Sequence, residues 1–295
     1  MQEITKAVIL MAGKGTRALP ATKAMAKELF PVGNTPALLY FLEECVDSGI
    51  KQVVIVISKQ KKDVIKFLSH DKSLEQLIKG TDKEALLDKW KKAVDNLDIK
   101  FVYQGKMNGS AGAVMAAKKF VKNEAFLLMT ADDLCINQVD EMPASKQLIE
   151  CFKKTGKYVV GALQVSDDKV SSYGIITPGK KISEKEVEVK GFVEKPKLGE
   201  NPSNLASLAR YVLLPNIFEN IPKCEKHKNG EVFFPEAIAM EIKNNNVVAC
   251  RFDAKYYDLG NNLEYVKCVV EMSLKDEKIK NDLALYLENL VKNQL

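Results

Sequence analysis

The chain has 295 residues, 46% of them hydrophobic and 28% charged, a balance that excludes an intrinsically disordered polypeptide. The formal net charge is +5, and all but three of the 44 basic residues are lysines, the arginines being Arg17, Arg210 and Arg251. Those lysines alternate with acids, as in Lys275-Asp276-Glu277-Lys278, so no acid-free basic face is set aside for nucleic acid.

No apolar run approaches the roughly 20 residues of a membrane span, so no membrane partner is expected either. The opening residues Met1–Lys6 lack the charged and apolar regions of a secretory signal. Six cysteines are scattered without a Cys-x-x-Cys pair, and the only histidines are His70 and His227. That inventory argues against a zinc site and against a histidine-based triad, and it suits a reducing cytoplasm.

In chain order, the continuously apolar run Ala7–Ala12 reads as a buried parallel strand feeding a glycine-containing turn. Apolar spacing predicts a helix near Pro36–Ser48, ended by Gly49, and then a second buried strand, Gln52–Ile57. Strand, helix, strand is the βαβ unit with a right-handed crossover. Asp63–Asn96 has helical spacing broken at Gly80-Thr81, and Lys100–Gln104 is a third strand. A helix is expected around Ala111–Val121, a strand at Ala125–Thr130 and another at Tyr158–Val165. Strands and loops dominate from Tyr173 to Tyr257, apart from a helix near Phe234–Lys243, and the tail from Asn262 reads helical. The expectation is an α/β fold: a Rossmann-like, mixed but mainly parallel sheet flanked by helices, with a C-terminal helical element. Residues 1–270 would form the domain, and 271–295 an extension suited to a subunit contact.

The turn after the first strand is Ala12-Gly13-Lys14-Gly15-Thr16-Arg17. Glycines let backbone N–H groups approach phosphate oxygens, and a cation just beyond can neutralise them. A dinucleotide fingerprint Gly13-x-Gly15-x-x-Ala18 is formally allowed, but it should open a helix, and Pro20 follows within two residues. The second strand also lacks the terminal acid of that motif, ending Ile57-Ser58-Lys59, so an NAD-linked oxidoreductase is disfavoured.

The turn continues as Leu19-Pro20-Ala21-Thr22-Lys23-Ala24-Met25-Ala26-Lys27-Glu28-Leu29-Phe30-Pro31. With the strand before it, this stretch resembles the signature of nucleotidyltransferases that join an NTP to a sugar 1-phosphate, most closely the bacterial UTP–glucose-1-phosphate uridylyltransferases. Asn201–Leu213 resembles the P-S-N-L-A-x-x-G-R-Y-V-L block of that group, and the likeness runs to about residue 270.

The resemblance implies a fold, a reaction and a set of residues. The reaction is uridylyl transfer from UTP to glucose 1-phosphate, giving UDP-glucose and pyrophosphate with Mg²⁺ as cofactor. Ala12, Gly13, Gly15 and Thr16 would line the nucleotide phosphates, with Arg17 on the β/γ-phosphates and Lys27 beside them. In the loop Gln104–Gly109, Gln104 and Gly109 would face uracil, the amide offering donor and acceptor to the imide edge. Asp132, at a strand's carboxyl end, and Asp258, in Tyr257-Asp258-Leu259-Gly260, would hold the metal. Tyr173-Gly174-Ile175 and Val193-Glu194-Lys195-Pro196 match the sugar side: Gly174 admits the ring, Glu194 accepts from hydroxyls and Lys195 meets the sugar phosphate. A homo-oligomer is also implied.

Several positions depart from the group. Thr35 stands where a lysine is usual, and the base loop continues Ser110-Ala111-Gly112-Ala113, closer to guanylyl- and thymidylyltransferases. Ala131 replaces the glycine before the first metal-facing Asp. Glu231–Ala237 carries Phe233, Pro235 and Glu236 in a block that usually reads E-I-Q-L-T-D-A. These leave dTTP or GTP as alternative substrates, and a catalytically silent sugar-nucleotide-binding regulator as an alternative of another class.

Overall fold

The computed structural model describes residues 3–105, 109–138 and 140–294. Its strands are β1 (Lys6–Met11), β2 (Pro31–Val32), β3 (Thr35–Pro36), β4 (Gln52–Ile57), β5 (Asp98–Tyr103), β6 (Phe126–Thr130), β7 (Asp133–Ile136), β8 (Tyr158–Gln164), β9 (Gly174–Lys181), β10 (Glu186–Glu194), β11 (Leu205–Leu213), β12 (Val247–Arg251) and β13 (Lys255–Asp258). The helices are α1 (Ala37–Asp47), α2 (Lys62–Leu68), α3 (Lys72–Ile78), α4 (Asp88–Asp95), α5 (Gly109–Ala116), α6 (Lys118–Val121), α7 (Ala144–Thr155), α8 (Ile217–Asn220), α9 (Phe234–Ile242), α10 (Asn262–Ser273) and α11 (Lys280–Gln294).

A nine-stranded sheet runs in the order β5-β4-β1-β6-β11-β8-β12-β10-β9. The continuous apolar runs become its centre because both faces of those strands are covered. Ala7, Ile9 and Met11 of β1 point into one core with Phe41, Leu42 and Phe152, from α1 and α7. Val8 points to the other face, with Val114 of α5 and Phe234 and Ile238 of α9.

The expectation of a mainly parallel sheet is corrected. β5, β4, β1 and β6 are parallel neighbours, as is the β8–β12 pair. β11 is antiparallel to β6, β8 and β9, and β10 is antiparallel to β12 and β9. Seven strands therefore point one way, and two reversed strands, inserted between them, make most of the pairings antiparallel. Two small ribbons, β2–β3 and β7–β13, are also antiparallel. No helix among the described residues is long and apolar enough to cross a membrane.

Candidate active site

The carboxyl ends of the parallel strands converge, the position at which open α/β sheets present loops to ligands. Beyond β1 the chain forms three single 3₁₀ turns, Thr16–Ala18, Ala21–Lys23 and Lys27–Leu29, where a dinucleotide fold would start a helix. Gly15 has φ +67°, and its carbonyl accepts from the Thr22 hydroxyl at 2.9 Å, closing the turn on itself. Thr16 is exposed in the first turn.

A cavity of about 280 Å³ is lined by Ala12, Gly13, Lys27, Gln104, Gly109, Thr130, Asp132, Glu231 and Phe233, among others. Six of the residues singled out from the sequence thus share one wall. Gln104 is held after β5 by its N–H on the Ile57 carbonyl (3.0 Å), and its side-chain amide donates to the Gly109 carbonyl (3.0 Å). Gly109 has φ +82°, and a Cβ there would lie 2.4 Å from the Val232 carbonyl oxygen. The loop residues Lys106, Met107 and Asn108 between them lie outside the described residues.

Asp132 follows β6, and Lys27 Nζ donates to its Oδ2 at 2.8 Å. Asp258 ends β13, where the β7–β13 ribbon pairs it with Asp133, and Leu259 N–H donates to the Asp132 carbonyl at 2.8 Å. The Arg17 guanidinium lies between the two acids, 3.7 Å from Asp132 Oδ2 and 3.6 Å from Asp258 Oδ2. Gly260 N–H donates to Asp258 Oδ1 at 2.8 Å.

The electrostatics separate the adjacent acids. Burial pushes the Asp133 carboxyl up to about 6 and the charge of Asp132 adds to that push, against hydroxyl donors from Thr130 (2.6 Å) and Tyr256. Asp132 feels burial too, but the Lys27 ammonium, the Thr130 hydroxyl and Arg17 together outweigh it and hold its carboxyl below the usual range. Asp132 is thereby kept as an anion at neutral pH. A divalent cation would suit the pair: two hard-oxygen carboxylates share the Arg17 guanidinium, with the Lys27 ammonium on Asp132 as well. Among the described residues no group of three or more His, Cys, Asp or Glu converges, so phosphate oxygens would have to complete such a site.

Gly174 and Glu194 pair directly across β9 and β10 at the edge of the main sheet, and Lys195 follows β10. None of the three lines the cavity around Gln104 and Asp132. The link between this edge and the acids is aromatic: Lys195 N–H donates to the Tyr173 carbonyl (3.1 Å), and Tyr173 meets Tyr256 at 6.2 Å between ring centroids. Lys195 is one of a few non-glycine residues with positive φ, +46°, a strained conformation of the kind concentrated at functional sites.

Several contributors escape a sequence reading. Lys61 Nζ binds both oxygens of the buried Glu28 at 2.7 Å; burial pushes that carboxyl up and that ammonium down. The pair anchors the residue after Lys27 to the loop following β4. Tyr256 and Lys61 carry no local signal, because each acts through a partner distant in sequence, Asp133 and Glu28; Thr130 reaches Asp133 only three residues on. Arg210 is the opposite case: although it stands in a motif, it is a fully buried residue of β11 and reaches the Glu44 oxygens through Nε (3.1 Å) and Nη2 (2.8 Å).

A family model described as nucleotidyl transferase matches residues 6–273. UTP–glucose-1-phosphate uridylyltransferase 2 of Staphylococcus saprophyticus is 38% identical over 293 residues, covering 99% of this chain and all of that protein. The crystal structure of an apo UDP-glucose pyrophosphorylase superposes with a TM-score of 0.88 at 32% identity, over 92% of this chain and 99% of that one. A UTP-bound UGPase from Acinetobacter baumannii gives 0.86 at 28% identity, over 99% of this chain and 100% of that one. On the family match and the full-length likeness together, the chain belongs to the nucleotidyl transferase family.

Proposed function

We infer that this nucleotidyltransferase moves the uridylyl group of UTP onto glucose 1-phosphate, giving UDP-glucose and pyrophosphate. The observation that carries the reading is the single cavity joining the Gln104–Gly109 pair to the Lys27–Asp132 pair, in a chain similar along its length to uridylyltransferases. One pair supplies an amide for a pyrimidine edge, and the other supplies charge for phosphates.

The chemistry needs no general base. A sugar-phosphate oxygen is already anionic at pH 7; it attacks the α-phosphorus in line, and the bond to the β-phosphate breaks with its electron pair leaving on pyrophosphate. Catalysis is positioning and charge neutralisation. Arg17 holds the β/γ-phosphates, Lys27 the nucleotide phosphates, and Lys195 the incoming phosphate, so that two anions can approach. Ala12, Gly13, Gly15 and Thr16 offer backbone N–H groups to the same phosphates. Asp132 and Asp258 would hold Mg²⁺, which when bound supplies further positive charge at the phosphate oxygens. Glu194 and Gly174 meet the glucose ring. Arg17, Asp132, Lys195 and Asp258 are all present, which supports catalysis over a silent sugar-nucleotide binder.

In the same reading the enzyme is a cytoplasmic homo-oligomer, and residues 271–295 supply a subunit contact. Support comes from α11, where Leu285, Tyr286 and Val291 are exposed, and from Leu263 and Val266 on α10, which are exposed as well. A panel of UTP, dTTP, GTP and ATP with glucose 1-phosphate, read as pyrophosphate release, tests the function. UTP should give the highest kcat/KM; dTTP or GTP matching it would overturn the uracil assignment.

A further inference from the structure

Phe233 lines the same cavity as Gln104 and Gly109, and its side chain is only partly covered, at 38% exposure. Its backbone is fixed on both sides. Ala111 N–H donates to the Val232 carbonyl at 3.1 Å, and Phe234 N–H donates to the Ser110 hydroxyl at 3.3 Å. The segment carrying Phe233 is therefore fastened to the loop that carries Gly109.

The ring has its own support. His227, one of only two histidines, packs against it with ring centroids 4.9 Å apart and planes at 70°. His227 is held in turn by a hydrogen bond between its Nε2 and Glu236 Oε1. Its N–H donates to the Glu231 carbonyl at 2.8 Å, and its carbonyl accepts from Gly230 N–H at 2.8 Å. Phe233 and Glu236 are both departures from the block E-I-Q-L-T-D-A, and they are joined here through one imidazole. A partly bare aromatic ring on the wall of a cavity that also holds Leu10 and Met11 gains when a flat apolar surface covers it.

We propose that Phe233 is a nucleotide-binding residue whose ring packs against the pyrimidine of the bound nucleotide, with His227 as the positioning residue that sets the ring. The proposal rests on the cavity being the nucleotide pocket. Stacking on an aromatic ring is tolerant of base identity, so Phe233 supplies affinity while Gln104 and Gly109 supply discrimination.

The test is steady-state kinetics with UTP and glucose 1-phosphate on the full chain. Phe233→Ala should raise KM for UTP by about 5- to 20-fold, the lower range of base–aromatic stacking. Its kcat and its KM for glucose 1-phosphate should stay within about twofold, while Phe233→Tyr keeps the wild-type KM. His227→Ala should raise KM for UTP by a smaller factor, roughly 2- to 5-fold, on the scale of an aromatic pair. An unchanged KM for UTP in Phe233→Ala, or a rise confined to glucose 1-phosphate, overturns the assignment. Wild-type protein that fails to turn over UTP would instead overturn the functional reading itself.

Discussion

The two arginines that stand in motifs should give opposite phenotypes when each is changed to lysine. Arg210 is fully buried and forks onto both oxygens of Glu44, with its guanidinium 5.2 Å from the Phe41 ring centroid. Among the described residues, Glu44 has further donors only from Ser145, through N–H at 3.0 Å and Oγ at 2.5 Å. A lysine ammonium cannot serve both oxygens in that planar geometry, so Arg210→Lys loses about one charge-assisted hydrogen bond, roughly 1.5–3 kcal/mol. Arg210→Met strands Glu44 beneath the sheet and should cost about 3–5 kcal/mol, partly recovered when Glu44→Gln is added, since neither charge is then buried alone. For a chain this size, thermal melts should fall by about 2–4 °C for each kcal/mol, with kcat per folded molecule unchanged. Arg17 is 63% exposed, with its two carboxylates 3.6–3.7 Å away, so Arg17→Lys should change stability by about 1 kcal/mol or less. Its kcat/KM should instead fall about 10- to 150-fold as bidentate phosphate contact is lost. Melting curves in the absence of substrate and pyrophosphate-release kinetics check both halves. If Arg210→Lys melts with wild type, or Arg17→Lys keeps wild-type kcat/KM for UTP, the division into a structural and a functional arginine is wrong.

Two further outcomes are expected. Asp132→Asn should lower kcat by roughly 10²- to 10⁴-fold while the melting temperature stays within a few degrees, because the charge it removes faces phosphate chemistry rather than the core; near-normal turnover in saturating Mg²⁺ would sink the metal assignment. Gly109→Ala should lose about 1–3 kcal/mol of stability and raise KM for UTP, because the new methyl would sit 2.4 Å from the Val232 carbonyl at a φ of +82°; a wild-type melt together with a wild-type KM would show that the loop moves freely.

The sequence reveals the parallel half of the fold well, for a physical reason. Strands covered on both faces must be apolar throughout, so Ala7–Ala12 and Gln52–Ile57 announce themselves without tertiary information. The other half hides its direction. Nothing local in Leu205–Leu213 or Glu186–Glu194 says that these strands run against their neighbours, and that is where the mainly parallel expectation fails. Ala144–Thr155 has helical spacing that a reading centred on motifs passes over, and Asp133–Ile136 looks like the tail of β6 rather than a strand of its own. The site divides the same way. Contiguous residues such as Gly13, Gly15, Arg17 and Lys27 are legible because one loop must carry them all. Tyr256 and Lys61 are not, since each bonds to a residue far away in the chain.

Asp132 and Asp258 show what that difference means for the chemistry. Asp132 is fixed once β6 joins the parallel sheet. Asp258 reaches it only when β13 pairs with β7, a contact 125 positions apart that puts Asp258 opposite Asp133 and sets Leu259 N–H on the Asp132 carbonyl. Tyr256 on the same strand donates its hydroxyl to Asp133, so the ribbon is also stitched through the acid next to Asp132. From the other side, Tyr265 of α10 donates to the Pro31 carbonyl at 2.8 Å, tying the helix after Asp258 to the loop that carries Arg17 and Lys27. Gly260 leaves the guanidinium room between the acids, since a Cβ there would lie 2.4 Å from Arg17 Nη2. The two carboxylates are thus a product of closure. A change that frays β7 from β13 should remove charge from the proposed phosphate site even where every motif residue is intact, and no motif match by itself could report that loss.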